Sequence, residues 1–413
     1  MSTQPIPEQI LSELLNRFDD QKIEVNPSQP MMKACQETGS AIWLDTGDME
    51  AIDRLITPEV SAVTTNNTLL NREVQKGIYD SIIVENAARF DELPPQKRTV
   101  EIAFLLNALH ALRLVKRYGG MVSVELHTDV THDVDGIVHY GQRFHNIAPR
   151  NFLIKVPMSP SGLLGARKLH EMGIPVNFTL LFSVRQNMLA SLVAKPAYTN
   201  VFMGRIGAYM NDNHLGNASG PGEKTVHHTQ KCLRTLRRDL GLKTKLIAAS
   251  IRDYTQLPAL CGIDVMTIPA KVLTEGLEKL KGPFHPMTDH DFHIVYEPGV
   301  ATSEIQIDKL WNVSDTEKRV FRELRSNAPQ SAWELVDILR EEGITDIFPH
   351  LTPMEELFIT DDGKIPRHDR WASLIARGET AIDTLLTLAG VAAFTKDQKE
   401  LDERVKKLLA LSS

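Results

Sequence analysis

The 413-residue chain has little of what marks the more specialised protein classes. It contains only three cysteines (Cys35, Cys232 and Cys261) without the spacing of a zinc finger, so we expect neither a disulfide framework nor a thiolate metal centre. No apolar run approaches the roughly 18 to 20 residues needed to cross a bilayer. The first residues also lack the basic and then apolar pattern of a secretion signal. These absences predict a soluble, cytoplasmic protein that does not associate with membranes.

The chain also lacks an excess of basic residues, since 46 Lys and Arg stand against 53 Asp and Glu, for a formal net charge of −7. Because nucleic-acid binding requires clustered Lys and Arg, we expect no general nucleic-acid partner. The sequence has neither the Gly-rich fingerprint of a dinucleotide-binding fold nor the Gly-x-Ser-x-Gly motif of an α/β hydrolase. Neither a dinucleotide enzyme nor a hydrolase of that type is therefore indicated.

Short β-rich apolar runs, each followed by a stretch with helical periodicity, recur through the middle of the chain. The eight runs are residues 41–46, 62–67, 121–127, 151–157, 175–181, 199–206, 244–250 and 265–270. Alternating β and α segments predict a parallel sheet covered by helices, and eight is the number at which such a sheet closes. A doubly wound open sheet fits less well, because no Gly-rich phosphate turn follows the first strand. We therefore predict an α/β fold, a (β/α)8 TIM barrel with an added N-terminal helix and an extended, mainly helical C-terminal region.

The regions around the alternating series suggest a division of the chain into four parts. We predict an N-terminal helical lead-in over residues 1–40, the barrel over 41–282, an insertion or elaboration of unknown role over 283–368, and C-terminal helices that pack on the barrel over 369–413. Helical patterns also appear at residues 7–18, 99–117, 163–172, 316–326, 331–342, 370–392 and 396–411. Residues 282–312 break the alternation with Pro, Gly and polar residues, which predicts an irregular segment.

Lys155 is the most unusual residue of the predicted strands. It lies in the fourth run, where a parallel strand covered on both faces usually carries Val, Ile or Leu. Burial in an apolar barrel lowers the pKa of an amine and favours the neutral form that attacks carbonyl groups. Taken alone, the position allows two interpretations: a nucleophile, or a strand-end lysine in a structural ion pair with Glu125 or Asp45.

Polar residues at other strand ends favour the nucleophile. Arg205 lies at the end of the sixth run and Arg252 just after the seventh, and two guanidinium groups at successive strand ends suit a phosphate or carboxylate. A histidine-rich stretch with His285, His290 and His293 lacks a recognised metal-ligand pattern, so we predict no metal. The rival lysine, Lys271, follows the eighth run and is expected to begin a helix. The pattern therefore indicates an anionic substrate.

Seven short segments, in order and at strand spacing over about residues 40 to 280, resemble the transaldolase family of class I aldolases, which have a (β/α)8 barrel. They are Trp43-Leu-Asp45-Thr, Thr64-Thr-Asn66, Val122-Ser-Val-Glu125, Leu153-Ile-Lys155, Asn177-Phe-Thr179, Phe202-Met-Gly-Arg205-Ile and Ala249-Ser250-Ile-Arg252. The stretch that begins at Phe394 also looks like a C-terminal helix of that family.

The resemblance implies that Lys155 forms a Schiff base with a ketose, that Glu125 is the acid/base for that step and that Asp45 takes the proton released by C3–C4 cleavage. The implied substrate-binding residues are Asn66, Asn177, Thr179, Asn200, Arg205, Ser250 and Arg252. The implied reaction is transfer of a dihydroxyacetone unit from sedoheptulose 7-phosphate or fructose 6-phosphate to an aldose phosphate, in the pentose phosphate pathway. The iminium is itself the electron sink, so no cofactor or metal is expected. Family members are often dimers, which implies a homodimer.

The sequence departs from the family pattern beside the substrate. Asn67 stands where the family usually has Pro, and Asn200-Val201 replaces the usual Ser-Pro. These changes do not affect the residues of the Schiff-base chemistry. They leave the identity of the sugar substrate undetermined. The alternatives are therefore an aldolase of the fructose-6-phosphate type, a related enzyme acting on another sugar, or a non-catalytic barrel that serves as a scaffold.

Overall fold

The computed structural model, which describes residues 6–412, contains eight parallel strands hydrogen-bonded in chain order and closed by pairing of the first strand with the last. The strands are β1 (Ala41–Asp45), β2 (Val60–Thr64), β3 (Met121–Glu125), β4 (Phe152–Pro157), β5 (Val176–Thr179), β6 (Tyr198–Phe202), β7 (Lys245–Ala249) and β8 (Val265–Pro269). All eight fall within or overlap the predicted runs. The predicted TIM barrel is confirmed.

Side chains alternate between the two faces of each strand, and the barrel therefore has two separate hydrophobic cores. The inner core is a small plug of residues: Trp43, Ala62, Leu153, Ile247, Ala249 and Val265. The outer faces of the strands join the large core beneath the surrounding helices. Polar residues stand two positions further along four of these strands, on the same inner face: Asp45, Thr64, Lys155 and Thr267. The plug thus supports a polar layer at the carboxyl ends of the strands.

Helices connect and surround the strands. Those up to β8 are α1 (Ile6–Leu15), α2 (Pro30–Glu37), α3 (Met49–Leu55), α4 (Asn67–Gln75), α5 (Asp80–Asn86), α6 (Pro95–Tyr118), α7 (Val134–Ile147), α8 (Pro160–Glu171), α9 (Val184–Val193), α10 (Met203–Asp212), α11 (Pro221–Leu240) and α12 (Gln256–Ala259). Those after β8 are α13 (Ala270–Lys279), α14 (Thr302–Ile305), α15 (Asp315–Ser326), α16 (Ala332–Glu341), α17 (Pro353–Asp362), α18 (His368–Ala376) and α19 (Ile382–Ser412). Short 3-10 helices occupy Ala87–Phe90, Thr128–Val130 and Ile307–Leu310.

The C-terminal helices differ from the sequence prediction. The predicted helices at 370–392 and 396–411 are instead α18 and α19, with the break at residues 377–381 rather than 393–395. Gly378 adopts a positive φ of 71°, which ends a helix readily, whereas residues 393–395 contain neither Gly nor Pro. Helices α2 and α17 were not predicted. Of the segment predicted to be irregular, 282–312, residues 282–301 are irregular as expected, but α14 and the 3-10 helix Ile307–Leu310 lie in its last part.

A buried arginine joins the segment beyond the barrel to the barrel itself. The guanidinium of Arg185, on α9, binds Asp383 at 2.8 Å, Asp346 at 2.9 Å and Glu317 at 3.1 Å, and its side chain is only 2% exposed. Lys309 binds Asp346 from the other side at 2.7 Å. Four separate stretches of chain therefore meet at one arginine. Helix α19 then runs back across α4, α5 and α6.

Neither a membrane-spanning helix nor a cluster of metal-ligating side chains is found among the described residues, 6–412. Within these residues, none of the helices is both long and apolar enough to cross a membrane. No group of three or more His, Cys, Asp or Glu side chains in the same range is arranged to hold a metal ion.

Candidate active site

Three polar side chains form a row across neighbouring strands at the carboxyl end of the barrel. In the strand register Glu125 of β3 pairs with Lys155 of β4, and Lys155 pairs with Asn177 of β5. The Nζ atom of Lys155 lies 3.3 Å from Glu125 Oε2 and donates to the carbonyl oxygen of Thr65 at 3.1 Å. The ion pair with Glu125 that the sequence allowed is thus present. A structural ion pair alone does not explain why Lys155 also faces a cavity.

Burial governs the protonation of Glu125. The side chain is 3% exposed, and burial raises the pKa of this carboxyl above its ordinary value, although the positive charge of Lys155 opposes the shift. The backbone N–H of Asn67 also donates to Glu125 and opposes the shift. Since Asn67 stands where the resembled family has Pro, which carries no N–H, this departure reaches the carboxyl beside the lysine.

Asp45 is the second buried carboxyl of the site. Burial raises its pKa, while a hydrogen bond from Thr64 and the charges of Lys155 and Arg72 oppose the shift. The hydroxyl of Thr64 lies 2.7 Å from Asp45 Oδ1 and 2.6 Å from the hydroxyl of Thr267. Asp45 is therefore held in one orientation, and its raised pKa makes it a better proton acceptor than an exposed aspartate.

The opposite side of the site is cationic. A Cβ atom at Gly204 would lie 2.0 Å from the carbonyl oxygen of Ser250 and 2.6 Å from Cγ of Arg252, so only glycine lets the ends of β6 and β7 approach this closely. Ser250 itself adopts a φ of 62°, a conformation that costs a non-glycine residue energy and is characteristic of functional sites. Burial and the neighbouring Arg252 lower the pKa of Arg205 to about 10. Arg205 thus remains cationic at neutral pH, and an anion there would relieve its unfavourable surroundings.

A cavity of about 220 Å³ at the carboxyl end of the barrel extends from Lys155 and Asn177 to Arg205 and Arg252. Eight of the ten predicted site residues line it: Asp45, Asn66, Lys155, Asn177, Asn200, Arg205, Ser250 and Arg252. The other two, Glu125 and Thr179, lie beside it on the strand ends and do not line it. Several buried polar atoms at this end have no hydrogen-bond partner: Asn177 Oδ1, Thr179 Oγ1, Asn200 Oδ1 and Arg205 Nη1. Such atoms are costly unless a ligand or water satisfies them. The amide oxygens need a hydrogen-bond donor such as a sugar hydroxyl, and the Arg205 nitrogen needs an acceptor such as an anionic group.

Comparison with known proteins places this site in a family. Residues 42–321 match the family model described as transaldolase/fructose-6-phosphate aldolase. The chain belongs to this family. The resemblance inferred from the sequence is thus confirmed, and the match covers all eight strands but ends within α15.

The relatives of this transaldolase-family chain have low sequence identity to it but align over most of their own length. A transaldolase of Cricetulus griseus is 27% identical over 342 residues, or 79% of this chain and 94% of the relative. A probable transaldolase of Carboxydothermus hydrogenoformans is 29% identical over 259 residues, 60% of this chain and 98% of the relative. A transaldolase of Xanthomonas euvesicatoria is 28% identical over 246 residues, 57% of this chain and 74% of the relative. The protein is accordingly an enzyme of the transferase class in the transaldolase family.

Several residues of the site were not predicted from the sequence of this family member. The ring of Phe394, on α19, lies 5.6 Å from Lys155 Nζ and 5.8 Å from the guanidinium carbon of Arg205. Arg72 on α4 and Lys364, between α17 and α18, also line the cavity. Nothing in a local pattern marks these three, because they belong to two helices and a turn that reach the cavity from outside the barrel strands. Thr267 could have been predicted as a site residue, because it is a polar residue on the inner face of an apolar strand.

Proposed function

We propose that this enzyme transfers a dihydroxyacetone unit from a ketose phosphate, sedoheptulose 7-phosphate or fructose 6-phosphate, to an aldose phosphate through a Schiff base on Lys155. The observation that carries the proposal is a cavity lined by Lys155, the carboxyl of Asp45 and two arginines, together with unpartnered polar atoms on Asn177, Asn200 and Arg205. The proposal needs neither a metal nor an organic cofactor, since the iminium withdraws the electrons.

In the first step the neutral amine of Lys155 adds to the ketose carbonyl carbon, and the carbonyl oxygen gains a proton. Loss of that oxygen as water gives the iminium. Glu125, 3.3 Å from Nζ, serves as the acid and base for these proton transfers through an intervening water. Its raised pKa supports this role, because a carboxyl that is readily protonated can donate as well as accept.

In the second step Asp45 accepts the proton of the C4 hydroxyl. The C4 oxygen then forms a carbonyl, the C3–C4 bond breaks, and its electron pair moves into the iminium to give an enamine while the aldose leaves. Thr64 supports this role by fixing Asp45 from one side and leaving the other oxygen for the sugar. Asn66, Asn177, Thr179 and Asn200 are proposed to bind the dihydroxyacetone unit, since three of the four have unpartnered buried polar atoms.

In the third step the enamine carbon attacks the aldehyde of the acceptor, Asp45 returns its proton to the new hydroxyl, and water releases the ketose from Lys155. Phe394 over the lysine favours transfer over release, because an aromatic ring in this position keeps bulk water away from the enamine. An aldolase of the fructose-6-phosphate type would instead protonate the enamine and release dihydroxyacetone.

Borohydride trapping tests the proposal directly. Incubation with fructose 6-phosphate and borohydride, followed by peptide mass spectrometry, should give a stable adduct on Lys155. A coupled assay with and without an acceptor aldehyde then separates the two activities, since a transferase turns over only with the acceptor. Absence of any adduct in correctly folded protein would contradict both the transferase and the aldolase.

Arg205→Ala is expected to raise KM for a phosphorylated acceptor about 10- to 100-fold, the equivalent of one or two charge-assisted hydrogen bonds. The change for an unphosphorylated acceptor should be several-fold smaller, because the guanidinium is proposed to bind the phosphate. Steady-state kinetics with erythrose 4-phosphate and with unphosphorylated erythrose provides the comparison. Arg252→Ala changes the other arginine of the cavity, which is exposed, and serves as the matched variant. An equal increase in KM for both acceptors would refute a phosphate-binding role.

A further inference from the structure

Lys364 lies outside the region that matches the family, and yet it lines the cavity that contains Lys155. It belongs to the short connection between α17 and α18, within the segment that the sequence analysis set apart at 283–368. Its side chain is exposed, so it stands at the mouth of the cavity rather than at the bottom. A lone exposed lysine usually interacts only with solvent. Whether Lys364 can bind a ligand therefore depends on how firmly its backbone is held beside the cavity.

The connection is held by a buried carboxylate just before it. Asp362 accepts hydrogen bonds from Trp371 Nε1 at 2.9 Å and from the backbone N–H of Arg367 at 3.0 Å. The guanidinium of Arg370 lies 2.7 Å from the same carboxylate, whose side chain is fully buried. Both ends of the turn that carries Lys364 are thus tied to one group, which limits the positions its backbone can take.

The same turn is docked on the helix that carries Arg205. The hydroxyl of Tyr209 lies 2.8 Å from His368 Nδ1, and Asn213 donates to the carbonyl oxygen of Pro366 at 3.0 Å and accepts from the backbone N–H of His368 at 2.7 Å. Arg205 and Tyr209 of α10 and Asn213, the residue that caps it, follow one another at intervals of four residues, which puts them on the same side of this helix. The turn is therefore directed to the side of the cavity where Arg205 lies.

Charge at the cavity favours an anion at this place. Besides Lys155 the lining contains Arg72, Arg205, Arg252 and Lys364, and the one lining carboxyl is Asp45, on the first strand. Lys364 is not itself engaged in any ion pair found in the part of the chain that the structure describes, whereas Lys309 and Lys318, two other lysines of the segment beyond the barrel, each have an acidic partner. A cation held by a fixed turn beside two arginines is suited to a dianionic group.

We propose that Lys364 is a third cationic residue of the anion-binding end, one that binds the terminal phosphate of the substrate together with Arg205 and Arg252. The inference rests on the proposed function and extends it: the segment added to the barrel contributes to substrate binding, and it selects sugars that carry a phosphate far from the reacting carbonyl.

Lys364→Gln tests this proposal against Lys318→Gln, which removes the same charge from the same segment at a site that does not line the cavity. Two readouts are measured: the Kd of inorganic phosphate by calorimetry, and KM for phosphorylated and unphosphorylated acceptors. Lys364→Gln should weaken phosphate binding about 3- to 10-fold and raise KM for the phosphorylated acceptor similarly, as expected for a partly exposed ion pair. Lys318→Gln should match the wild type, and Lys364→Arg should restore most of the affinity.

The two readouts separate failure of this inference from failure of the proposed function. Phosphate binding that depends on Lys364 supports the anion site even where no sugar adduct forms on Lys155. Normal trapping at Lys155 with unchanged phosphate binding in Lys364→Gln overturns the inference and leaves the proposed chemistry intact. Equal effects of Lys364→Gln and Lys318→Gln would show a general loss of charge and would also overturn it.

Discussion

Replacing Lys155 by Met is expected to abolish borohydride trapping and to lower the rate of transfer by at least about 10⁴-fold, as removal of a covalent nucleophile does. Methionine keeps the length of the side chain and suits an apolar strand, so the barrel should still fold. Loss of the ammonium leaves Glu125 without the charge that opposes its raised pKa, and this carboxyl should then become protonated rather than remain as an unpaired buried charge. Mass spectrometry of the trapped protein and the acceptor-dependent assay measure the two effects.

Lys271→Met provides the control for this experiment. Lys271 lies just beyond β8, at the start of α13 as the sequence predicts, but its side chain is 89% exposed. It does not line the cavity, and its substitution should leave trapping and turnover unchanged. Trapping that persists in Lys155→Met and disappears in Lys271→Met would identify Lys271 as the nucleophile.

The strands and most of the candidate site were predictable because both follow from local patterns. A closed parallel barrel needs apolar residues on both faces of each strand, so a polar residue inside a strand, such as Lys155 or Asn177, is informative by itself. The carboxyl ends of all eight strands meet at one face of a barrel. Residues at the end of one strand or just beyond another, such as Glu125 and Arg252, could therefore be assigned to one site without knowledge of the turns between them.

The rest of the site could not be predicted, because it depends on where helices beyond the barrel pack. Phe394 had been noticed as part of a helix that resembles the family, but nothing in its neighbourhood indicates that it covers Lys155. Helix α19 approaches that closely because Gly390 has no side chain: a Cβ there would lie 2.8 Å from Leu180 and 3.2 Å from Arg205. Lys364 depends on contacts with α10 more than 150 residues earlier in the chain.

Arg185 connects these two long-range contributions to the barrel, and its replacement by Leu is expected to destabilise the protein by about 3–5 kcal/mol. The substitution leaves three buried carboxylates with one remaining cation, Lys309, and one of them, Asp383, begins the helix that carries Phe394. The segment beyond the barrel should therefore loosen first. Limited proteolysis is expected to cut Arg185→Leu after residue 282, and the melting temperature should fall markedly at pH 7.

Arg319→Leu is the matched control, since Arg319 binds Glu323 and Glu342 on the same segment but at an exposed position. Its melting temperature should stay close to that of the wild type, because solvent screens surface ion pairs.

The effect of Arg185→Leu should also depend on pH. Burial alone would raise the pKa of Asp346, but Arg185 and Lys309 outweigh it and lower that pKa. A lowered pKa contributes stability above the ordinary aspartate value of about 3.9 and loses it as the pH falls through the folded-state value. The difference between wild type and Arg185→Leu should therefore be largest near neutral pH and shrink below about pH 4. A difference that is constant from pH 7 to pH 3 would mean that Arg185 stabilises the protein by packing rather than by its charge.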